Sequence, residues 1–219
     1  MVVKARTTMG TLKWQGPSTW NDPLFTVALF QKMSIEWDGR DIVQLFSTLY
    51  GADYKLVFNA PDSLAVEAFE GIKFVYDSPI DWDKIPVPVS LTVGGKVLEV
   101  PKQIGQLSFG QLVMLRQRID KLRNDETIDG RLIGFAAALY FYFQYYPEDK
   151  RMDQKKLDAL ECMILGKQIL EVYPISFFLL SRLWQSGNRS GQLWTNLLAW
   201  LNRLTQTLKP MKTTMSLQT

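Results

Sequence analysis

Apolar positions in the first part of the chain recur at the spacing of α-helices. Three such patterns run from Leu24 to about Met33, from Ile42 to Leu49 and from Leu64 to about Val75. Residues 18–23 resemble a capped helix start, and Gly51 ends the second pattern. We therefore predict a small helical part over residues 18–76. Residues 1–17 are polar and mixed, and we expect them to form an extended arm.

The middle of the chain changes from helical spacing to alternation. Residues 77–104 are rich in proline, which disfavours helix. Within this linker, apolar residues alternate on both sides of Gly94-Gly95, between Val89 and Pro101. Glycine adopts the positive φ angles of a two-residue turn without steric cost. We therefore predict one β-hairpin over about residues 88–101.

Helical spacing returns at about residue 105 and continues to about residue 208. We expect helices over 109–123, 131–145, 153–165 and 175–184, followed by a last helix with a leucine stripe. Residues 209–219 have no packing pattern, and we expect a flexible tail. The predicted fold class is therefore mainly α, a helical bundle over residues 105–208 with one inserted β-hairpin.

The predicted helix over residues 131–145 is apolar almost all round. That pattern is typical of a buried central helix. Its end is unusually aromatic, from Tyr140 to Tyr146. Such rings can stack on nucleic-acid bases, but no basic residue lies between Arg131 and Lys150, so core packing is the better interpretation. The longest apolar run, residues 133–143, is too short for a bilayer, and we predict no transmembrane segment.

The residue types needed for most catalytic sites are missing. The chain has no histidine and a single cysteine, Cys162, which excludes Ser-His-Asp and Cys-His catalysis and leaves only carboxylates for a zinc site. Residues 94–96, Gly-Gly-Lys, lack the spacing of a phosphate-binding loop, and Asp81 and Asp83 are better explained as solvated surface. We predict no enzyme activity, no metal and no cofactor.

Charge is distributed unevenly between the two ends of the chain. The first 171 residues carry a net charge of −2, whereas the final 48 residues carry +5 and contain no acidic side chain. This asymmetry indicates an acidic partner, a nucleic acid or an anionic membrane surface. A basic surface that pairs with acidic neighbours of the same fold explains it equally well.

The predicted last helix combines this basic charge with leucines on one stripe. Such a helix binds a partner or a membrane surface, packs in a helix–helix seam, or closes its own bundle. Of these alternatives we take partner binding. We expect the partner-binding residues to be Trp194, Leu197, Trp200, Leu201, Arg203 and Leu204.

The order of segments resembles small phage proteins. Thr19-Trp20-Asn21, the Val-Gly-Gly-Lys hairpin, residues 103–111 and residues 171–179 together resemble structural and morphogenesis proteins of tailed bacteriophages that infect Bacteroidetes, including crAss-like phages. The resemblance implies a non-catalytic virion or assembly protein: a neck or ring subunit, a capsid-packed protein or a tail-assembly chaperone. Its partners would be other protein chains or further copies of itself, in the host cytoplasm during assembly or in the virion. The alternative function is a nucleic-acid-binding accessory protein that uses the basic C-terminal segment.

Overall fold

A computed structural model describes residues 1–7, 10–37, 40–60, 62–77, 80, 84–100, 109–122 and 128–185. Over these residues the chain is mainly helical with two small antiparallel sheets, which confirms the predicted fold class. The elements in chain order are β1 (Val2–Thr7), β2 (Gly10–Gln15), α1 (Val27–Glu36), α2 (Ile42–Tyr50), α3 (Tyr54–Phe58), α4 (Asp62–Asp77), β3 (Ser90–Val93), β4 (Lys96–Glu99), α5 (Phe109–Leu122), α6 (Ile128–Tyr145), α7 (Gln154–Leu165) and α8 (Ile169–Gln185).

Helix α6 is the centre of the core, as its sequence predicts. It packs against α1, α5, α7 and α8, and residues 132–139 are all buried. The aromatic run at its end also belongs to the core, because Phe141 and Tyr142 are fully buried. Burying these rings removes a large apolar area from water, about 1.5–3 kcal/mol for each large side chain.

Tyr142 fixes the turn between α6 and α7. Its hydroxyl donates to Asp149 Oδ2 at 2.6 Å and accepts from the backbone N–H of Asp153 at 2.8 Å. Lys156 Nζ donates to the other oxygen of Asp149 at 2.6 Å. The hydroxyl is thus satisfied inside the protein. A buried hydroxyl requires such partners because its desolvation is costly.

The prediction of an extended N-terminal arm is wrong, and with it the prediction of a single hairpin. Strands β1 and β2 pair antiparallel, with Val3 opposite Trp14. The pair is part of the globule: Val3 is completely buried, β1 packs on α4, and the Trp14 ring lies edge-on to Phe46 of α2 at 6.1 Å. Pairing satisfies the backbone groups that an arm would leave to water, and packing buries the two apolar side chains.

Tyr50 of α2 locks this N-terminal hairpin against α4. Its ring stacks on Phe46 with centroids 4.4 Å apart, and its hydroxyl lies 3.1 Å from the carbonyl oxygens of Pro17 and Gly71, to which it donates. A Cβ atom at Gly16 would lie 2.7 Å from the Tyr50 ring, and one at Gly71 would lie 2.7 Å from its hydroxyl. Glycine at both positions therefore permits the close contact.

The predicted hairpin at Gly94-Gly95 is confirmed. The two glycines have φ angles of 53° and 80°, and strands β3 and β4 pair from Ser90–Glu99 to Val93–Lys96. The outer edge of β4 is partly closed by a side chain of α6. Gln144 accepts from the backbone N–H of Glu99 and donates to its carbonyl, both at 3.0 Å.

Three helix starts differ from those predicted. Helix α6 begins at Ile128, three residues before its predicted start. Helix α1 begins after Thr26, whose hydroxyl accepts from Leu29 N, whereas Asp22 accepts backbone hydrogen bonds from Ser18 and Leu24 in a preceding loop. Local hydrogen bonding of this kind competes with helix formation.

Helix α8 begins at Ile169, six residues before the predicted start, and continues through Pro174. Its first turn is fixed by tertiary pairing, since Ile169 N donates to Phe25 O at 3.0 Å and Val27 N donates to Lys167 O at 2.9 Å. These contacts hold the start in place, although proline removes one helical hydrogen bond.

Candidate interaction surface

The partner-binding residues expected from the sequence are Trp194, Leu197, Trp200, Leu201, Arg203 and Leu204. All six lie outside the described residues, as do the predicted last helix and the predicted tail. The candidate surface must therefore be sought in the part of the chain that the structure describes.

Helix α3 presents apolar side chains to solvent. Asp53 caps this short helix by accepting from Leu56 N at 2.9 Å, and only Val57 of the helix is buried in the core. On the outside, the rings of Tyr54 and Phe58 stack with centroids 5.9 Å apart, and Phe58 is 64% exposed. A five-residue helix with one buried side chain has most of its apolar surface left over for another contact.

Helix α4 is apolar on two faces. Ala68, Ile72 and Val75 are buried against the core. A second row faces outward: Val66 is 64% exposed and Phe69 is 41% exposed. The second row follows helical spacing, because Phe69 lies three residues after Val66 and Tyr76 lies seven residues after Phe69.

Tyr76 connects this outer row to the rest of the protein. Its ring stacks on Phe69 at 6.4 Å between centroids and lies edge-on to the buried Trp37 at 6.2 Å. Burial raises the pKa of Tyr76 to about 12, and the negative charge of Asp41 adds to the shift. The ring at the end of the row is thus anchored, while Phe69 extends from it into solvent.

Asp41 interacts with one ring of each stacked pair. Its carboxylate caps α2 by accepting from Gln44 N at 3.0 Å, and it accepts from the Tyr54 hydroxyl at 2.9 Å. The hydrogen bond to Asp41 raises the pKa of Tyr54, and the same charge acts on Tyr76. The outer sides of α3 and α4 therefore flank one carboxylate, and we name them the aromatic face. It comprises Tyr54, Leu56, Phe58, Val66 and Phe69.

The segment that carries the aromatic face is acidic. Residues 40–77, which contain α2, α3 and α4, hold six acidic and three basic side chains, a net charge of −3. One of the three basic residues, Lys73, is 3.5 Å from Glu70 and 3.8 Å from Asp77, so part of its charge is already neutralised. The face therefore suits an apolar partner with positive charges, and it is unfavourable for phosphates.

A buried acidic group in the C-terminal bundle has a structural explanation. Burial raises the pKa of Glu161 on α7, and Arg118 of α5 opposes this shift from 3.8 Å. The Arg118 guanidinium also lies over the Phe135 ring at 5.1 Å. These contacts connect α5 to α6 and α7 and form no open site.

The remaining sequence candidates and the comparisons with known proteins add nothing to this surface. Among the described residues, no three Cys, Asp or Glu side chains lie together as metal ligands, and no helix is long and apolar enough to cross a membrane. Asp81 and Asp83 lie outside those residues. No family model, curated protein or solved structure matches the chain.

Proposed function

We propose that this chain is a non-catalytic assembly protein that acts through contacts with other protein chains. The observation that carries the proposal is the aromatic face, where five apolar side chains of α3 and α4 lie in solvent on a protein with a closed core. Exposed apolar clusters with acidic surroundings are typical of binding sites, and aromatic residues are enriched at interfaces.

The resemblance to phage morphogenesis proteins supports a role in virion assembly, in the host cytoplasm or in the particle itself. Such a surface would suit a neck or ring subunit, a capsid-packed protein or a tail-assembly chaperone. Each must bind other chains reversibly or in a defined order, and none needs a catalytic group.

The second candidate function is nucleic-acid binding by the basic C-terminal segment. It is favoured by the +5 charge of the final 48 residues. The aromatic face does not contribute to it, because the segment that carries the face is acidic. Salt separates the two functions: phosphate contacts weaken steeply as salt rises, whereas apolar contacts between proteins do not.

The test is purification of the tagged full-length chain from its native source, with the double variant Phe58→Ser/Phe69→Ser beside it. A matched control is Val89→Ser/Val97→Ser, which removes two apolar side chains at the β3–β4 hairpin that are more exposed than Phe58 and Phe69. We expect wild type and control to retain the same protein partner at high salt, and the face variant to lose it.

Two results would count against the proposal. If the face variant retains the partner as well as wild type does, the aromatic face is not the binding site. If the retained material is nucleic acid that high salt releases, the accessory nucleic-acid function takes its place.

A further inference from the structure

The aromatic face needs an occupant of a particular chemistry. It offers stacked rings and aliphatic side chains, and the segment that carries it, residues 40–77, has a net negative charge. A complementary segment has an apolar stripe about one helix wide and basic side chains beside it.

The chain itself contains such a segment after α8. Residues 186–219 hold four basic side chains, Arg189, Arg203, Lys209 and Lys212, and no acidic one. A helix over residues 193–208 would place five of its six leucines within an arc of about 80°, since successive residues of an α-helix are about 100° apart. These five leucines are Leu193, Leu197, Leu201, Leu204 and Leu208. The segment is therefore complementary to the face in polarity and in sign of charge.

Covalent attachment favours this occupant over a separate chain. A segment joined to its site by a flexible connection has an effective concentration of about millimolar, well above that of most free proteins. The connection is present in the sequence, because residues 186–191 read Ser-Gly-Asn-Arg-Ser-Gly.

We infer that residues 186–219 of the same chain dock on the aromatic face and cover it until a partner displaces them. The inference rests on the proposed function, because it names what occupies the binding surface before the partner arrives. It also explains both the leucine stripe and the uniformly basic charge of the C-terminal segment.

The test is limited trypsin digestion of the purified full-length chain, with the cut after Arg203 followed by mass spectrometry. Cleavage requires the segment to leave its site, so its rate reports the undocked population. We expect slow cleavage in wild type and an increase of about tenfold or more in Phe58→Ser/Phe69→Ser. That factor corresponds to a loss of ~1.4 kcal/mol of docking free energy.

A second variant changes the segment and leaves the folded part untouched. Leu193→Asp/Leu197→Asp places two charges on the leucine stripe and should accelerate cleavage to a similar extent. Its matched control, Gln192→Asp/Thr195→Asp, adds the same charge on the opposite side of the predicted helix and should digest like wild type. Val89→Ser/Val97→Ser should also digest like wild type.

Three outcomes would overturn the inference: rapid cleavage of wild type, cleavage unaffected by either the face or the stripe variant, or protection lost on about a hundredfold dilution. The last outcome would assign the face to the segment of a second copy. The digestion uses the isolated chain, so its result is independent of whether the purification from the native source finds a partner.

Discussion

Replacing Gly16 by alanine tests whether the N-terminal hairpin is locked by Tyr50. The added methyl would lie 2.7 Å from two ring atoms of Tyr50 and 2.9 Å from a third. The ring is restrained on its other side by Phe46, stacked 4.4 Å away, and at its hydroxyl by two carbonyl oxygens. Since neither the ring nor the backbone can move freely, we expect the cost of overpacking, about 1–3 kcal/mol.

The assay is thermal unfolding followed by circular dichroism. For a chain of this size, each kcal/mol lowers the melting temperature by about 2–4 °C, so the expected shift is roughly 2–12 °C. Gly166→Ala is the matched control. Its Cβ would be 3.6 Å from the nearest atom, the carbonyl oxygen of Met163, which is an ordinary contact. The control should melt like wild type or slightly higher.

A double-mutant cycle identifies the cause of the loss. With Tyr50→Leu in the background the ring is gone, and Gly16→Ala should cost almost nothing more. If Gly16→Ala melts within about 1 °C of wild type, the hairpin is not locked as described. If the two substitutions add fully, the cost arises from something other than contact with Tyr50.

The remaining predictions concern pH and two local contacts. Burial raises the pKa of Tyr50 and of Tyr76 to about 12. Tyrosine in an unfolded chain titrates near pH 10, so the stability that these two tyrosines contribute should be constant below about pH 10 and be lost between pH 10 and pH 12. Denaturant titrations at each pH measure the free energy of unfolding, and the ultraviolet absorbance of tyrosinate measures ionisation of the tyrosines. Ionisation of all tyrosines near pH 10 in the folded protein would refute the prediction. Tyr142→Phe should cost about 1–3 kcal/mol in denaturant unfolding, because it leaves the backbone N–H of Asp153 and one carboxylate oxygen of Asp149 without their partner. An unchanged midpoint would show that water replaces the hydroxyl. Gly94→Ala should lower the melting temperature more than Gly95→Ala. Both glycines have positive φ, but only a methyl group at position 94 would overlap a tyrosine side chain of α6. Equal shifts would show that this tyrosine side chain moves aside.

Local signals in the sequence determined the elements whose cause is itself local. The Gly94-Gly95 turn needs positive φ at two successive residues, and glycine supplies it wherever the chain goes. Helix α2 starts at the Asp41 cap and ends at Gly51, whose φ is 63°, for the same kind of reason. The apolar sequence of α6 required burial on every side, which only a central position provides.

Tertiary contacts decided the elements whose cause lies far away in sequence. Residues 1–17 carry too weak a pattern of apolar positions to predict strands. They form a hairpin because Val3 and Trp14 pack against α4 and α2. Helix α8 begins before Pro174 because its first turn pairs with the segment that precedes α1. In both cases the packing partner is distant in the chain, so the local sequence does not indicate it.

The candidate surface shows the same division. The sequence directed attention to the C-terminal stripe by its charge and leucine spacing, and these features are complete within the segment. It did not identify the aromatic face, because a phenylalanine at helical spacing looks the same whether it faces core or solvent. Phe69 and Ala68 are neighbours, yet only the packing of α4 against α2 and β1 decides that Ala68 is buried and Phe69 exposed. Periodicity fixes which residues share a side of a helix, but which side meets the core depends on what the rest of the chain brings against it.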